Sequence, residues 1–285
     1  MKTLSMDVVV PVFNEEAEIA DCLAELLKQK KDIGKIIIVD NNSSDETARI
    51  VRRLARKNSQ IVLLHEKKQG AENARNRGFN YSQADIIGRI DADTRVQAGW
   101  CRAAQRFLAE HGECAGCSGM TIYYDLPARR FCDFASWFSV FFTNELVGGN
   151  YSFYGANMAI RRADWHKIRH IAKTEKDGKI MEDLSLSIAL SQIGRKVGWA
   201  RDMVSDVSGR RVRTSPLQYY KYNARWWRTY AVYGRPAQAA FTRIICWGSN
   251  VLLAVLAVGL RFHDPKTMTW SIRNWRHGFN GRDFQ

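Results

Sequence analysis

Four places along the chain set carboxylates and amides at spacings that chemistry can use: Asn14-Glu15, Asp40-Asn41-Asn42, Asp91-Ala92-Asp93 and Glu182-Asp183. The Asp-x-Asp triplet closes an apolar run, Ile86 to Ile90. Two carboxylates there present hard oxygen donors to a divalent cation, and the cation in turn can hold a diphosphate. Glu182 and Asp183 are adjacent where a helix is expected to start, so only one of them can face a substrate. Glu182 reads as an acid suited to a helix N-terminus. Cys114 and Cys117 form a lone CxxC without a second pair at zinc spacing. His166 and His170 are four apart but lack the glutamate of HExxH. Neither pair is read as a metal site.

The elements that must carry these groups follow from periodicity. Asp7 to Phe13 is a continuous apolar run, as expected of a strand buried on both faces. Asn14 is placed to cap a helix whose Ile19, Leu23 and Leu26 or Leu27 form one stripe. Lys35 to Val39 is the next buried strand, and Ser43 with Glu46 has capping-box spacing before a helix carrying Val51 and Leu54. Ile61 to Leu64, Gly70 to Tyr81 and Ile86 to Ile90 continue the series as strand, helix and strand. Strands alternating with helices of this length predict βαβ units and a parallel sheet. In such sheets a ligand lies at the carboxyl ends of the strands, where the polar steps fall.

Further on, Phe131 to Val147 reads as an aromatic, surface-seeking helix, Ser152 to Arg161 as strand or loop, and Asp183 to Ile193 as a helix. The 285 residues carry 43 lysines and arginines against 29 acids, a formal charge of +14. Such an excess suits an anionic partner. Between Arg201 and Arg243 nine basic residues face only Asp202 and Asp206, interleaved with tyrosines and tryptophans. Ile244 to Leu260 is then uncharged and apolar. As a helix its length is marginal for a bilayer core of roughly 30 Å, so an in-plane, re-entrant or single-span helix stays open beside a buried one. No secretory segment opens the chain, and the six cysteines are read as reduced thiols.

Six segments together carry a resemblance. VVVPVFNEE (Val8 to Glu16), VDNNSSDET (Val39 to Thr47), QGAENARNRGF (Gln69 to Phe79), IDADT (Ile90 to Thr94), GANMAIRR (Gly155 to Arg162) and MEDLSLSIAL (Met181 to Leu190) resemble, in order, the successive motifs of family-2 glycosyltransferases. The resemblance implies a GT-A fold: a Rossmann-like α/β domain with a mostly parallel sheet flanked by helices, here over residues 1–215. Residues 216–285 are then a basic, aromatic and apolar C-terminal region associated with a membrane. It also implies a nucleotide diphosphate-sugar donor (a UDP-sugar first, a GDP-sugar second), Mg2+ or Mn2+, and inversion at the anomeric carbon. By the same resemblance Pro11, Phe13 and Glu15 lie against the nucleoside, with Asp40 accepting from the base and Asn42 nearby. Gly70 to Arg77 line the nucleotide pocket. Asp91 meets the ribose or the metal's water shell, Asp93 is the metal ligand, Gly155 to Asn157 form the floor under the sugar, and Asp183 is the general base.

One motif departs from the family. Polymer-making members carry Gln-x-x-Arg-Trp after the base, and here Tyr222 stands where the glutamine would be, before Arg225 and Trp226. Processive synthesis is therefore not expected, although Arg225 and Trp226 can still reach a diphosphate or a sugar. The acceptor expected is a hydroxyl on a lipid-linked sugar or glycan, at the cytoplasmic face of a membrane. A polyprenyl phosphate is the alternative, for which a base would be superfluous. A nucleic-acid partner is not expected, because the basic stretch adjoins an apolar segment, which suits anionic lipid better.

Overall fold

The computed structural model describes residues 4–126, 151–174, 179–260, 262–264 and 269–271. The helix expected over Phe131 to Val147 lies outside them. Met6–Val12 forms β1, followed by α1 (Ile19–Lys28), β2 (Ile36–Asp40), α2 (Thr47–Ala55) and β3 (Ile61–His65). Then come α3 (Ala71–Tyr81), β4 (Ile86–Arg89), β5 (Arg95–Val96), α4 (Trp100–Glu110), β6 (Cys114–Ser118) and β7 (Thr121–Tyr123). Next are β8 (Met158–Arg161), α5 (Arg162–Ile168), α6 (Glu182–Gln192), β9 (Lys196–Trp199), β10 (Ser205–Val207), a 3-10 turn (Arg210–Arg213), α7 (Pro216–Val232), α8 (Pro236–Leu260), β11 (His263–Asp264) and β12 (Thr269–Trp270).

The chain divides into two units. The first comprises Met1–Thr121, Asn144–Thr174 and Glu182–Val207, and the second Ile122–Thr143, Glu175–Met181 and Ser208–Gln285. Among the described residues of the first unit, seven strands form one sheet in the order β3-β2-β1-β4-β8-β6-β9. The β3-β2, β2-β1, β1-β4 and β6-β9 pairs are parallel, while β8 runs antiparallel to both β4 and β6. The sheet is α/β and mostly parallel, as expected, with β8 returning between parallel neighbours.

Alternation along the strands builds the two cores. Met6, Val8, Val10, Ile36 and Ile38 pack on one face with α1, α2 and α4 through Leu23, Leu26, Val51, Trp100 and Leu108. Val9, Ile37, Val39 and Ile87 point to the other face, against α3, α5 and α6 through Phe79, Trp165, Ile168 and Leu186. Each such side chain contributes about 1.5–3 kcal/mol on full burial, so a charge at Ile37 or Ile38 would unfold the sheet. Gly78 lets α3 sit directly on β1, since a Cβ there would overlap Val9.

Two expected helix caps are not formed. Asn14 lies in the left-handed region (φ 53°), its backbone N–H donates to Ser43 Oγ at 3.1 Å, and its side-chain oxygen accepts from Ser44 N–H at 2.8 Å. α1 begins only at Ile19 and α2 at Thr47, neither with a side-chain cap. Asn14 and Ser43 instead tie the β1–α1 and β2–α2 turns together, which the two motifs could not reveal separately.

In the second unit, Ser215 and Gln218 form a capping box at the start of α7, with Pro216 in the first turn. Arg225 of α7 donates to the Ile180 carbonyl at 3.0 and 2.8 Å, and Thr229 Oγ1 accepts from Met181 N–H at 2.9 Å. The apolar run from Ile244 is helical as part of α8. Among the described residues no helix is long and apolar enough to cross a membrane.

Candidate active site

The carboxyl ends of β1, β2 and β4 lie along one edge of the parallel sheet, and Pro11 helps keep that edge open. The Val8 N–H donates to Lys35 of the β2 side and the Val9 carbonyl accepts from Ile90 N–H, so Pro11, which has no N–H, faces the β4 side. The β1–β4 register ends at Val9 and Arg89, two residues before Pro11. A crevice at the switch in strand order is where such sheets take ligands. Phe13 and Glu15 follow, both half-buried, with Glu15 N–H donating to Thr47 Oγ1 at 2.8 Å.

At the end of β2, Asp40 is buried and its carboxylate meets His65 Nδ1 at 3.3 Å. Asn42 is exposed with φ 65°, and its amide donates to the Lys67 carbonyl at 2.8 Å. Between them Asn41 is buried. Its amide donates to the Glu66 and Lys68 carbonyls and accepts from Gly70 N–H at 2.7 Å. Gly70, at φ 130°, starts α3 in a conformation that side chains rarely adopt. Asn41 thus fixes the loop that delivers α3, a role not evident in the sequence.

At the end of β4, Asp91 and Asp93 are half-buried around a buried Ala92. The Cys22 thiol on α1 is pushed well above its usual range, first by burial and then by the charges of Asp93, Asp91 and Glu15. Cys22 thus lies within electrostatic reach of all three carboxylates. Arg89, 5% exposed, sets its Nη2 2.8 Å from Asp91 Oδ1 and 3.4 Å from Glu182 Oε1.

Asp183, beside Glu182, accepts the Gly155 N–H at 2.9 Å and its own helix's Leu184 N–H at 2.8 Å. Burial, then the charge of Glu182, raises its carboxyl above the ordinary value, while Arg89 and the two N–H groups pull it down. A carboxylate with a raised pKa, held in place by two backbone donors, is suited to receive a proton. Gly155 is glycine for a steric reason, because a Cβ there would overlap the Arg89 guanidinium.

Asn157 is fully buried. Its amide donates to the Met120 and Met203 carbonyls, each at 2.9 Å, and accepts from Trp100 Nε1 at 2.7 Å. It ties the segment before β8 to the Met120 and Met203 loops and to α4. On α3, Arg77 is exposed, whereas Arg75 is buried and Nη1 has no hydrogen-bond partner among the described residues. Burial lowers the Arg75 guanidinium to about 10, with Glu182, Glu72 and Asp183 opposing that shift and Arg89 adding to it. Arg225 and Trp226 belong to the second unit, where Arg225 holds Ile180. The sheet edge thus unites Pro11, Phe13, Glu15, Asp40, Asn42, Gly70, Asp91 and Asp93, and the Gly155 contact adds Asp183. Sequence reasoning missed Arg89, and it anticipated neither the loop-fixing role of Asn41 nor the burial of Arg75. An arginine inside the apolar run IIGRI was the available signal for the first.

Among the described residues no three ligating side chains gather into a closed metal cage. Mg2+ and Mn2+ sites shared with substrate phosphates need only one or two carboxylates. The hard oxygens of Asp91 and Asp93 fit that mode.

These features define an α/β protein with carboxylates gathered at the carboxyl ends of its parallel strands. Residues 7–169 match the family model described as Glycosyl transferase family 2, which is more than half of the chain, and the chain belongs to that family. EpsH of Bacillus subtilis (strain 168) is 27% identical over 135 residues, 47% of this chain and 39% of that protein. An undecaprenyl-phosphate 4-deoxy-4-formamido-L-arabinose transferase of Edwardsiella ictaluri (strain 93-146) is 34% identical over 93 residues, 31% of this chain and 29% of the relative. The matched stretches cover less than half the length of these relatives. A mannosyltransferase from Pyrobaculum calidifontis, solved with GDP-Man and Mn2+, superposes with a TM-score of 0.66 at 18% identity, over 96% of this chain and 78% of that one. At that identity the likeness bears on the fold, which is GT-A.

Proposed function

We propose that the protein is an inverting glycosyltransferase that moves one sugar from a nucleotide diphosphate-sugar to an acceptor hydroxyl, with Asp183 as general base. One observation carries this reading. A half-buried carboxylate of raised pKa sits on two backbone N–H groups, linked through Glu182 and Arg89 to the Asp91-Asp93 turn. Asp40, with Pro11, Phe13, Glu15 and Asn42 around it, receives the nucleoside. Gly70 and the start of α3 border the diphosphate. Asp93, with Asp91, would hold Mg2+ or Mn2+, which when bound offsets the charge of the diphosphate.

The acceptor oxygen attacks the anomeric carbon from the side opposite the diphosphate. Its proton passes to the Asp183 carboxylate as the carbon–oxygen bond to the diphosphate breaks, and the nucleoside diphosphate leaves with the bonding pair. The Glu182–Arg89 pair keeps a second negative charge from the proton's path. A UDP- or GDP-sugar is the donor class, since a neighbour of the same fold was solved with GDP-Man and Mn2+.

The acceptor is read as a lipid-linked sugar or a glycan at the cytosolic face of a membrane. The family relative named for undecaprenyl phosphate supports a second reading, in which the nucleophile is a polyprenyl phosphate. Such a nucleophile is already ionised, so Asp183 would then be dispensable for turnover. The test is release of nucleoside diphosphate from UDP-, GDP- and dTDP-sugars, with Mn2+, with Mg2+ and with chelator. Metal-dependent release from one nucleotide class is expected. No release from any donor with either metal would contradict the proposal.

A further inference from the structure

α8 has its polarity arranged the wrong way round for a helix in water. Ala239, Thr242 and Cys246 are buried, with Cys246 Sγ 3.3 Å from the Asn223 carbonyl of α7. On the outward side, Ile244 is 70% exposed, Trp247 66% and Val251 47%. Their spacing of three and four residues puts them on one face. A surface helix ordinarily carries its charges there, yet no charged residue occurs from Ile244 to Leu260. The segment that carries this face is strongly cationic: residues 208–260 contain eight lysines and arginines and no aspartate or glutamate. Arg243, beside Ile244, is exposed and stacks over the Trp227 ring of α7 at 5.4 Å.

We propose that α8 lies in the plane of an anionic phospholipid bilayer, with Ile244, Trp247 and Val251 inserted beneath the headgroups. This rests on the membrane-surface reading above and deepens it by naming the face and the orientation. An exposed apolar row gains from lipid burial, and a tryptophan settles at the headgroup boundary. The acid-free basic segment that carries the row complements anionic headgroups and would oppose a second copy of itself. The orientation follows from α7. The buried side of Ala239–Cys246 is attached to a helix bearing Lys221, Arg225 and Arg228, whose charges do not enter hydrocarbon. Only the outward face of this part of α8 is available to lipid.

Full-length protein and the double variant Ile244→Glu/Trp247→Glu are compared by co-sedimentation with phosphatidylglycerol–phosphatidylcholine vesicles and with phosphatidylcholine vesicles. Donor hydrolysis without lipid and sedimentation velocity are measured alongside. The parent is expected to bind the anionic vesicles and to release partly in high salt. The double variant should bind roughly tenfold less or weaker still, with hydrolysis unchanged. Equal binding by parent and variant would overturn the proposal. So would a parent that turns over donor, ignores vesicles and forms a dimer that the variant abolishes. Vesicle binding lost in the variant, in a protein that turns over no donor, would support the docking face while contradicting the glycosyltransferase reading.

Discussion

Arg89 Nη2 lies 2.8 Å from Asp91 Oδ1, in a pair where the arginine is 5% exposed and the aspartate 27%. The same nitrogen is 3.4 Å from Glu182 Oε1. One buried guanidinium therefore joins the turn assigned to the donor with the pair assigned to proton transfer, Arg89 and Glu182 being 93 residues apart. Removing one partner of a buried ion pair leaves a desolvated charge, which is why this contact should matter beyond its geometry.

Gly155→Ala places a methyl group where the Arg89 guanidinium lies. Stability should fall by about 1–3 kcal/mol, as for other overpacked sites. In an Arg89→Ala background the same change should cost less, with an interaction energy of about 0.5–3 kcal/mol. Urea unfolding of the four proteins in the cycle measures this directly. Additive effects would show that the crowding lies elsewhere.

Asp93→Ala should abolish metal-dependent binding of the nucleoside diphosphate and leave the fold intact. The residue is half-buried at a strand end and is absent from both hydrophobic cores. Titration calorimetry with UDP and GDP, with and without Mn2+, reports the first, and circular dichroism the second. Unchanged Mn2+-dependent binding would contradict the assignment.

Much of this site was legible because buried parallel strands read as unbroken apolar runs. β1 and β2 are such runs, β4 is one interrupted by Arg89, and the first three expected polar steps follow the carboxyl ends of these strands. What was not legible depended on contacts distant in sequence. Asn14 and Ser43 both read as caps, yet they bond to each other's turns because the β1–β2 pairing brings them together. The antiparallel return of β8 leaves no local signature, since MAIR has the same alternation in either direction. Arg75 and Arg77 differ by two positions on α3, and only packing distinguishes the buried one from the exposed one.

Asp183→Asn should lower turnover by about 10²–10⁴ and leave donor affinity nearly unchanged, the usual effect of losing a positioned base. Steady-state kinetics with saturating donor, together with nucleotide titration, separates the two. Loss of donor binding would assign Asp183 to the donor pocket. Undiminished turnover would favour the phosphate acceptor.

The acid limb of kcat/KM should lie above the ordinary aspartate value of about 3.9, because Asp183 acts ionised and burial and Glu182 raise its pKa. Activity is then lost as pH falls through that raised value. The stability contribution runs the other way: a raised carboxyl pKa contributes fully below the unfolded value and loses that contribution as pH rises through the folded one. Glu182→Gln removes the like charge, keeps an acceptor for Arg89, and should move the acid limb to lower pH. A limb that stays in place would show that Glu182 does not act on the base.

The central claim is tested most directly by following one α-linked nucleotide sugar through turnover with Mn2+, water serving as acceptor. The anomeric proton of the released sugar is read by NMR before mutarotation. Metal-dependent release of the β sugar is expected, lost in Asp93→Ala and slowed in Asp183→Asn. Release of the α sugar, or release unaffected by either substitution, would contradict inverting transfer at this sheet edge.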